Sequence, residues 1–163
     1  MIMNREEISV IVNSVFGVRP KDKQEEALEH LMKGGSGDLL LNLPVGYGKS
    51  LVYPAFPFLH ASSSSLVIAL LNIIQTEQLA SLNLRSIPAC KIAMSGNITC
   101  NFHATDMCSC GLQQIIDGDF KVIFCHPESL FSNSIGQALL LSSEFPSLVK
   151  AVFIDECHVF DKW

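Results

Sequence analysis

Two stretches of this sequence carry residue types that can handle phosphate. The first, "LNLPVGYGKS" at residues 41–50, places Gly46 and Gly48 where a backbone must bend closely, followed at once by Lys49 and Ser50. Glycines let main-chain N–H groups wrap an anion, a lysine ammonium meets the outer phosphates, and a serine hydroxyl can ligate Mg²⁺. Val45 and Tyr47 complete the loop. One position departs from the GxxxxGK[ST] pattern, because Leu43 stands where the first glycine would be. The second stretch, "AVFIDECHVFDKW" at residues 151–163, sets Asp155 and Glu156 at the end of an apolar run. There Asp155 can hold a Mg²⁺ shell and Glu156 can polarise an attacking water.

A third constellation, "CNFHATDMCSCG", brings Cys100, His103, Cys108 and Cys110 into one loop with soft ligand atoms. Its C-x₂-H-x₄-C-x-C spacing fits no common zinc pattern, and a single short loop rarely closes a tetrahedron. Zinc is not expected there.

These residues need a scaffold. The apolar runs "DLLLNL", "SLVIALL", "PACKIA", "KVIFC" and "KAVFID" read as strands. Between and before them, "REEISVIVNSVF", "DKQEEALEHLMKGG", "KSLVYPAF" and "NIIQTEQLASLNL" carry helical patterning. Asp22 with Glu25, and Asn72 with Gln75, have capping-box spacing, and Gly34 and Gly35 supply a stop. Alternating strands and helices predict an α/β fold, a parallel sheet with helices on both faces. Ligands of such sheets bind at the carboxyl ends of the strands, where both phosphate-handling stretches fall.

The 163 residues fit one domain. Leu66 to Leu71 is among the longest apolar runs, far short of a membrane span, and the acidic N-terminus does not read as an export signal. An intracellular protein with six reduced cysteines is therefore expected. The net charge of −5 includes no basic stripe, so a nucleic-acid role has to rest on motifs.

The motifs together resemble the first RecA-like lobe of a superfamily 2 helicase, a P-loop NTPase fold, and specifically the RecQ family. "FGVRPKDKQEEAL" is similar to its motif 0, with Gln24 as the adenine-reading residue and Lys21 where the family usually has an arginine. "LPVGYGKSLVYP" resembles its motif I, which also lacks the first glycine. "LVIALLNIIQTEQLASL" is similar to motif Ia, and "VIFCHPESLF" to motif Ib through Pro127 and Glu128. "DECHVFDKW" resembles the acidic box, with a Trp five residues after its His.

The resemblance implies ATP and Mg²⁺ as cofactors and DNA as partner. It implies nucleotide binding by Gln24, Val45, Gly46, Tyr47, Gly48, Lys49 and Ser50, and metal binding by Ser50 and Asp155. Catalysis would fall to Lys49, Asp155 and Glu156. His158, Trp163 and Asn72 would couple nucleic acid to hydrolysis. It further implies 3′→5′ unwinding in recombination and repair, nuclear in a eukaryotic cell. On this reading residues 1–163 form an ATP-binding lobe lacking its second lobe, and the isolated chain is expected to be inactive. The competing readings are a DEAD-box-type RNA helicase lobe and a non-enzymatic nucleotide-binding module.

Overall fold

The computed structural model describes residues 3–34, 37–102 and 110–156. The chain divides into two compact units, residues 1–61 and 62–163.

The first unit is helical. Helix α1, Arg5–Phe16, opens on a full capping box between Asn4 and Glu7 and closes on Gly17, whose positive φ of 69° suits the left-handed turn there. Helix α2, Asp22–Met32, follows. The Asp22–Glu25 capping box does not form. The helix starts one residue earlier than that pairing requires, so Gln24 occupies the third helical position and accepts from the Lys21 N–H at 2.7 Å. The stop at Gly34 is present, at φ 61°. A 3₁₀ turn, Lys49–Leu51, leads into helix α3, Val52–Leu59, nearly all of whose residues are buried. Helices α1, α2 and α3 pack on one another, with Phe16 and Phe58 edge to face at 6.0 Å.

Residues 38–43 do not form the strand that "DLLLNL" predicts. Strand structure comes from ladder pairing, which an apolar run cannot supply by itself, and Leu39 and Leu40 are exposed.

The second unit is the sheet. Strand β1, Ser64–Ala69, leads to helix α4, Asn72–Asn83, then to β2, Ala89–Ile92, and β3, Ile98–Cys100. Helix α5, Leu112–Ile116, precedes β4, Val122–Cys125. Helices α6, Pro127–Phe131, α7, Ser134–Leu141, and α8, Phe145–Leu148, lead to β5, Val149–Asp155. The strand order is β3-β2-β4-β1-β5. The four strands foreseen after residue 60 are present and mutually parallel, whereas β3 is an unforeseen antiparallel edge strand on β2. A two-strand return through Gly96, at φ 92°, is what adds it.

Helices cover both faces. Leu66, Cys90, Ile92, Ile123 and Cys125 point into a cluster completed by Ile115, Leu130, Leu139 and Phe145 from α5 to α8. The alternate residues face α4, which packs on β1 and β2. Among the described residues no helix is long and apolar enough to cross a membrane.

Candidate functional site

The loop at residues 43–50 is built by tight backbone turns. Tyr47 N–H donates to the Pro44 carbonyl at 3.1 Å, and Leu51 N–H to the Gly48 carbonyl at 3.0 Å. Gly46 and Gly48 take φ of 80° and 94°, a region that side-chain-bearing residues rarely adopt. A Cβ on Gly48 would come within 2.9 Å of the Gln24 amide nitrogen. Leu43, the departure from the common pattern, is buried and anchors the entry to the loop, while Val45 at its tip is 99% exposed. Lys49 and Ser50 stand half-buried at the first turn after it. A narrow turn with two bare glycines, followed by a cation and a hydroxyl, has the donor set a polyphosphate with Mg²⁺ needs.

Helix α2 braces this loop. Gln24 is 3% exposed, and its Nε2 donates to the Gly48 carbonyl at 2.7 Å and more weakly to that of Tyr47 at 3.4 Å. Lys21 lays its ammonium over the Tyr47 ring, 4.7 Å from the centroid, and Lys23 N–H reaches the Tyr47 hydroxyl at 3.4 Å. The residue to which the resemblance gives adenine reading is therefore held, in this structure, by the glycine turn itself.

In the second unit the parallel strands carry the other expected residues to one end of the sheet. Asp155 ends β5 and is in register with Ala69, the last residue of β1. Asn72 opens α4 just beyond it, exposed, and Pro127 and Glu128 open α6 just beyond β4. Glu156 turns out of the strand at φ 54°, and its N–H donates to Asp155 Oδ1 at 3.0 Å. A left-handed non-glycine residue costs about 1–2 kcal/mol, which the fold spends here to end the strand abruptly beside two carboxylates.

The Asn72–Gln75 capping box is absent. Asn72 is already the first helical residue, and the buried Gln75 instead donates through Nε2 to the Ala69 carbonyl at 2.7 Å, fastening the start of α4 to the end of β1. Sequence reasoning gave no role to His126. It caps α6, its Nδ1 accepting from Glu128 N–H at 3.3 Å, with Pro127 at the first helical position.

His158 and Trp163 lie outside the described residues, as do His103 and Cys108 of the cysteine-rich loop. Cys100 and Cys110 of that loop are described, with sulfurs 3.4 Å apart. Among the described residues no group of three or more His, Cys, Asp or Glu side chains is placed to hold a metal.

Residues 21–163 match the family of DEAD/DEAH box helicases. The chain belongs to that family. It is a helicase ATP-binding domain, a class that works with ATP and typically Mg²⁺ and that binds nucleic acid. Among curated proteins it is similar to the ATP-dependent DNA helicase Q-like 5 of Arabidopsis thaliana, with 26% identity over 97% of this chain. It is also similar to the ATP-dependent DNA helicase RecQ of Haemophilus influenzae, with 28% identity over 94%. Both relatives are RecQ-type, as the motifs imply. The chain spans 16% and 22% of their respective lengths.

Proposed function

We propose that this chain is the first RecA-like lobe of a RecQ-like 3′→5′ DNA helicase, acting in recombination and repair and, in a eukaryotic cell, in the nucleus. The observation that carries the reading is the glycine turn at 46–48 braced by Gln24, in a chain similar to two curated DNA helicases. ATP with Mg²⁺ supplies the phosphoanhydride whose hydrolysis drives such a machine.

The chain's own residues divide the work. Main-chain N–H groups of Val45, Gly46 and Gly48 would donate to phosphate oxygens, while that of Tyr47 holds the turn on the Pro44 carbonyl, and the Lys49 ammonium would neutralise the outer phosphates. Ser50 and Asp155 would ligate the metal, and Glu156 would orient the attacking water and accept its proton. Asn72 and Glu128 stand at the sheet end where β5 delivers Asp155. That placement suits a strand-contacting surface able to sense hydrolysis, with His158 and Trp163 following directly in sequence.

Turnover by this lobe alone should be slow, because a transition-state arginine from another element is worth about 10³- to 10⁵-fold. The test is equilibrium binding of a fluorescent ATP analogue with Mg²⁺. The wild-type chain should bind, Lys49→Ala should bind at least about tenfold more weakly, and Glu156→Gln should bind like wild type. Equal binding by wild type and Lys49→Ala would sink the reading in favour of a non-enzymatic module. Comparing DNA with RNA stimulation of ATP hydrolysis by a longer form carrying a second lobe discriminates the DNA helicase from an RNA helicase.

A further inference from the structure

We infer that Cys100 and Cys110 are a redox pair that closes to a reversible disulfide when the protein meets a small-molecule disulfide. Neither the family nor the nucleotide site requires this, and it stands independently of the function proposed above.

The two sulfurs are 3.4 Å apart, against about 2.05 Å in a disulfide, so closure needs only a small side-chain adjustment. Both flanks are pinned. Cys100 ends β3, opposite Cys90 in the antiparallel register. The next residue, Asn101, is tied back twice, Nδ2 donating to the Ile87 carbonyl at 2.7 Å and Oδ1 accepting from Ala89 N–H at 3.0 Å. Cys110 packs against the core cluster just before α5, where Gly111 N–H donates to Gln114 Oε1 at 2.8 Å.

Access differs sharply among the described thiols. Cys90, Cys100 and Cys125 are buried, whereas Cys110 is partly open to solvent. Burial also pushes the Cys125 thiol up to about 12, so it stays protonated and inert at neutral pH. Cys110 is thus the entry point and Cys100 the resolving partner.

The chemistry balances with oxidised glutathione as oxidant. The Cys110 thiolate attacks one glutathione sulfur, forming a mixed disulfide and releasing one glutathione thiolate. Cys100 then loses its proton to solvent and attacks the Cys110 sulfur, expelling the second glutathione. Two protein thiols are oxidised and one glutathione disulfide is reduced to two thiols. The product ties the end of β3 to the start of α5 and restricts the unfolded chain.

The purified 163-residue chain, incubated with excess oxidised glutathione at about pH 8, then denatured and alkylated, should hold two cysteines that carry neither an alkyl group nor glutathione. Non-reducing peptide mapping should place the bridge at Cys100–Cys110, and dithiothreitol should remove it. Cys108→Ser should leave the bridge intact, and Cys110→Ser should abolish it. Cys100→Ser should stop at a glutathione adduct on Cys110. Three results overturn the proposal. They are a wild-type protein that carries glutathione adducts without an internal bridge, a bridge through Cys108, or bound zinc in the purified chain that protects these thiols from oxidation.

Discussion

The side-chain amide of Gln24 donates to the main-chain carbonyl of Gly48 at 2.7 Å while its oxygen accepts from Lys21 N–H at the same distance. One buried side chain therefore joins the start of α2 to the turn that precedes Lys49. Breaking it should loosen the loop as well as the helix. Gln24→Ala leaves the Lys21 N–H and Gly48 carbonyl without this partner and should cost about 1–3 kcal/mol of unfolding free energy. Gln24→Glu keeps an acceptor for Lys21 but sets a carboxylate oxygen against the Gly48 carbonyl. It should weaken fluorescent-nucleotide binding more than its effect on thermal stability explains. Equal nucleotide affinity in wild type and both variants would show that this contact does not organise the loop.

Gly48 itself supplies a separate test of the same turn. At φ 94° any side chain is strained, by about 1–2 kcal/mol for alanine, and the added Cβ presses on the Gln24 amide at 2.9 Å. Gly48→Ala should therefore lower the melting temperature and reduce nucleotide affinity together. Combining it with Gln24→Ala removes the crowding but not the φ strain, so the double variant should be less destabilised than the sum of the singles. A chemical-denaturation series on the four proteins measures this coupling.

What the sequence disclosed depended on how local its cause was. The four strands after residue 60 and helices α1 to α4 were legible because apolar periodicity and end signals are written within each segment. Residues 38–43 carry the same apolar signal, yet strand formation needs a paired neighbour, and no periodicity reports that. Similarly, Asn72 and Gln75 have capping-box spacing, but the Ala69 carbonyl wins the Gln75 amide because α4 begins one residue sooner. The left-handed Glu156 and the capping role of His126 were invisible, since both depend on where a strand stops or a helix turns in space. The Cys100–Cys110 contact was hidden for another reason. The four-ligand spacing drew attention to a metal, while the antiparallel β3 that carries Cys100 toward Cys110 has only three residues and a weak pattern.

Gly136 offers a test of packing away from the glycine turn at 46–48. It sits in α7 where that helix crosses α6, and a Cβ there would collide with the carbonyl oxygens of Ser129 and Leu130. Backbone cannot give way as a flexible side chain can. Gly136→Ala should destabilise the second unit by about 3 kcal/mol or more despite the higher helix propensity of alanine. Circular-dichroism melting checks it, and a variant as stable as wild type would mean that α6 and α7 separate at little cost.

Cys125 makes the alkaline limb of stability measurable. Its thiol lies in the middle of the sheet core, and burial raises its pKa from 9.0 to about 12. A raised value means that the folded state holds the proton more tightly than the unfolded state. Its contribution is complete below about pH 9 and is lost as pH climbs from there toward 12, because the unfolded chain ionises first. The slope is at most about 1.4 kcal/mol per pH unit in that window. Cys125→Ala removes this term, so although alanine leaves a small void, its stability should fall less steeply than that of wild type between about pH 8 and pH 10. Iodoacetamide should leave Cys125 unmodified in the folded chain at about pH 8 and label it fully after denaturation. Parallel alkaline slopes for the two proteins, or rapid labelling of folded Cys125, would contradict the burial that the sheet imposes on it.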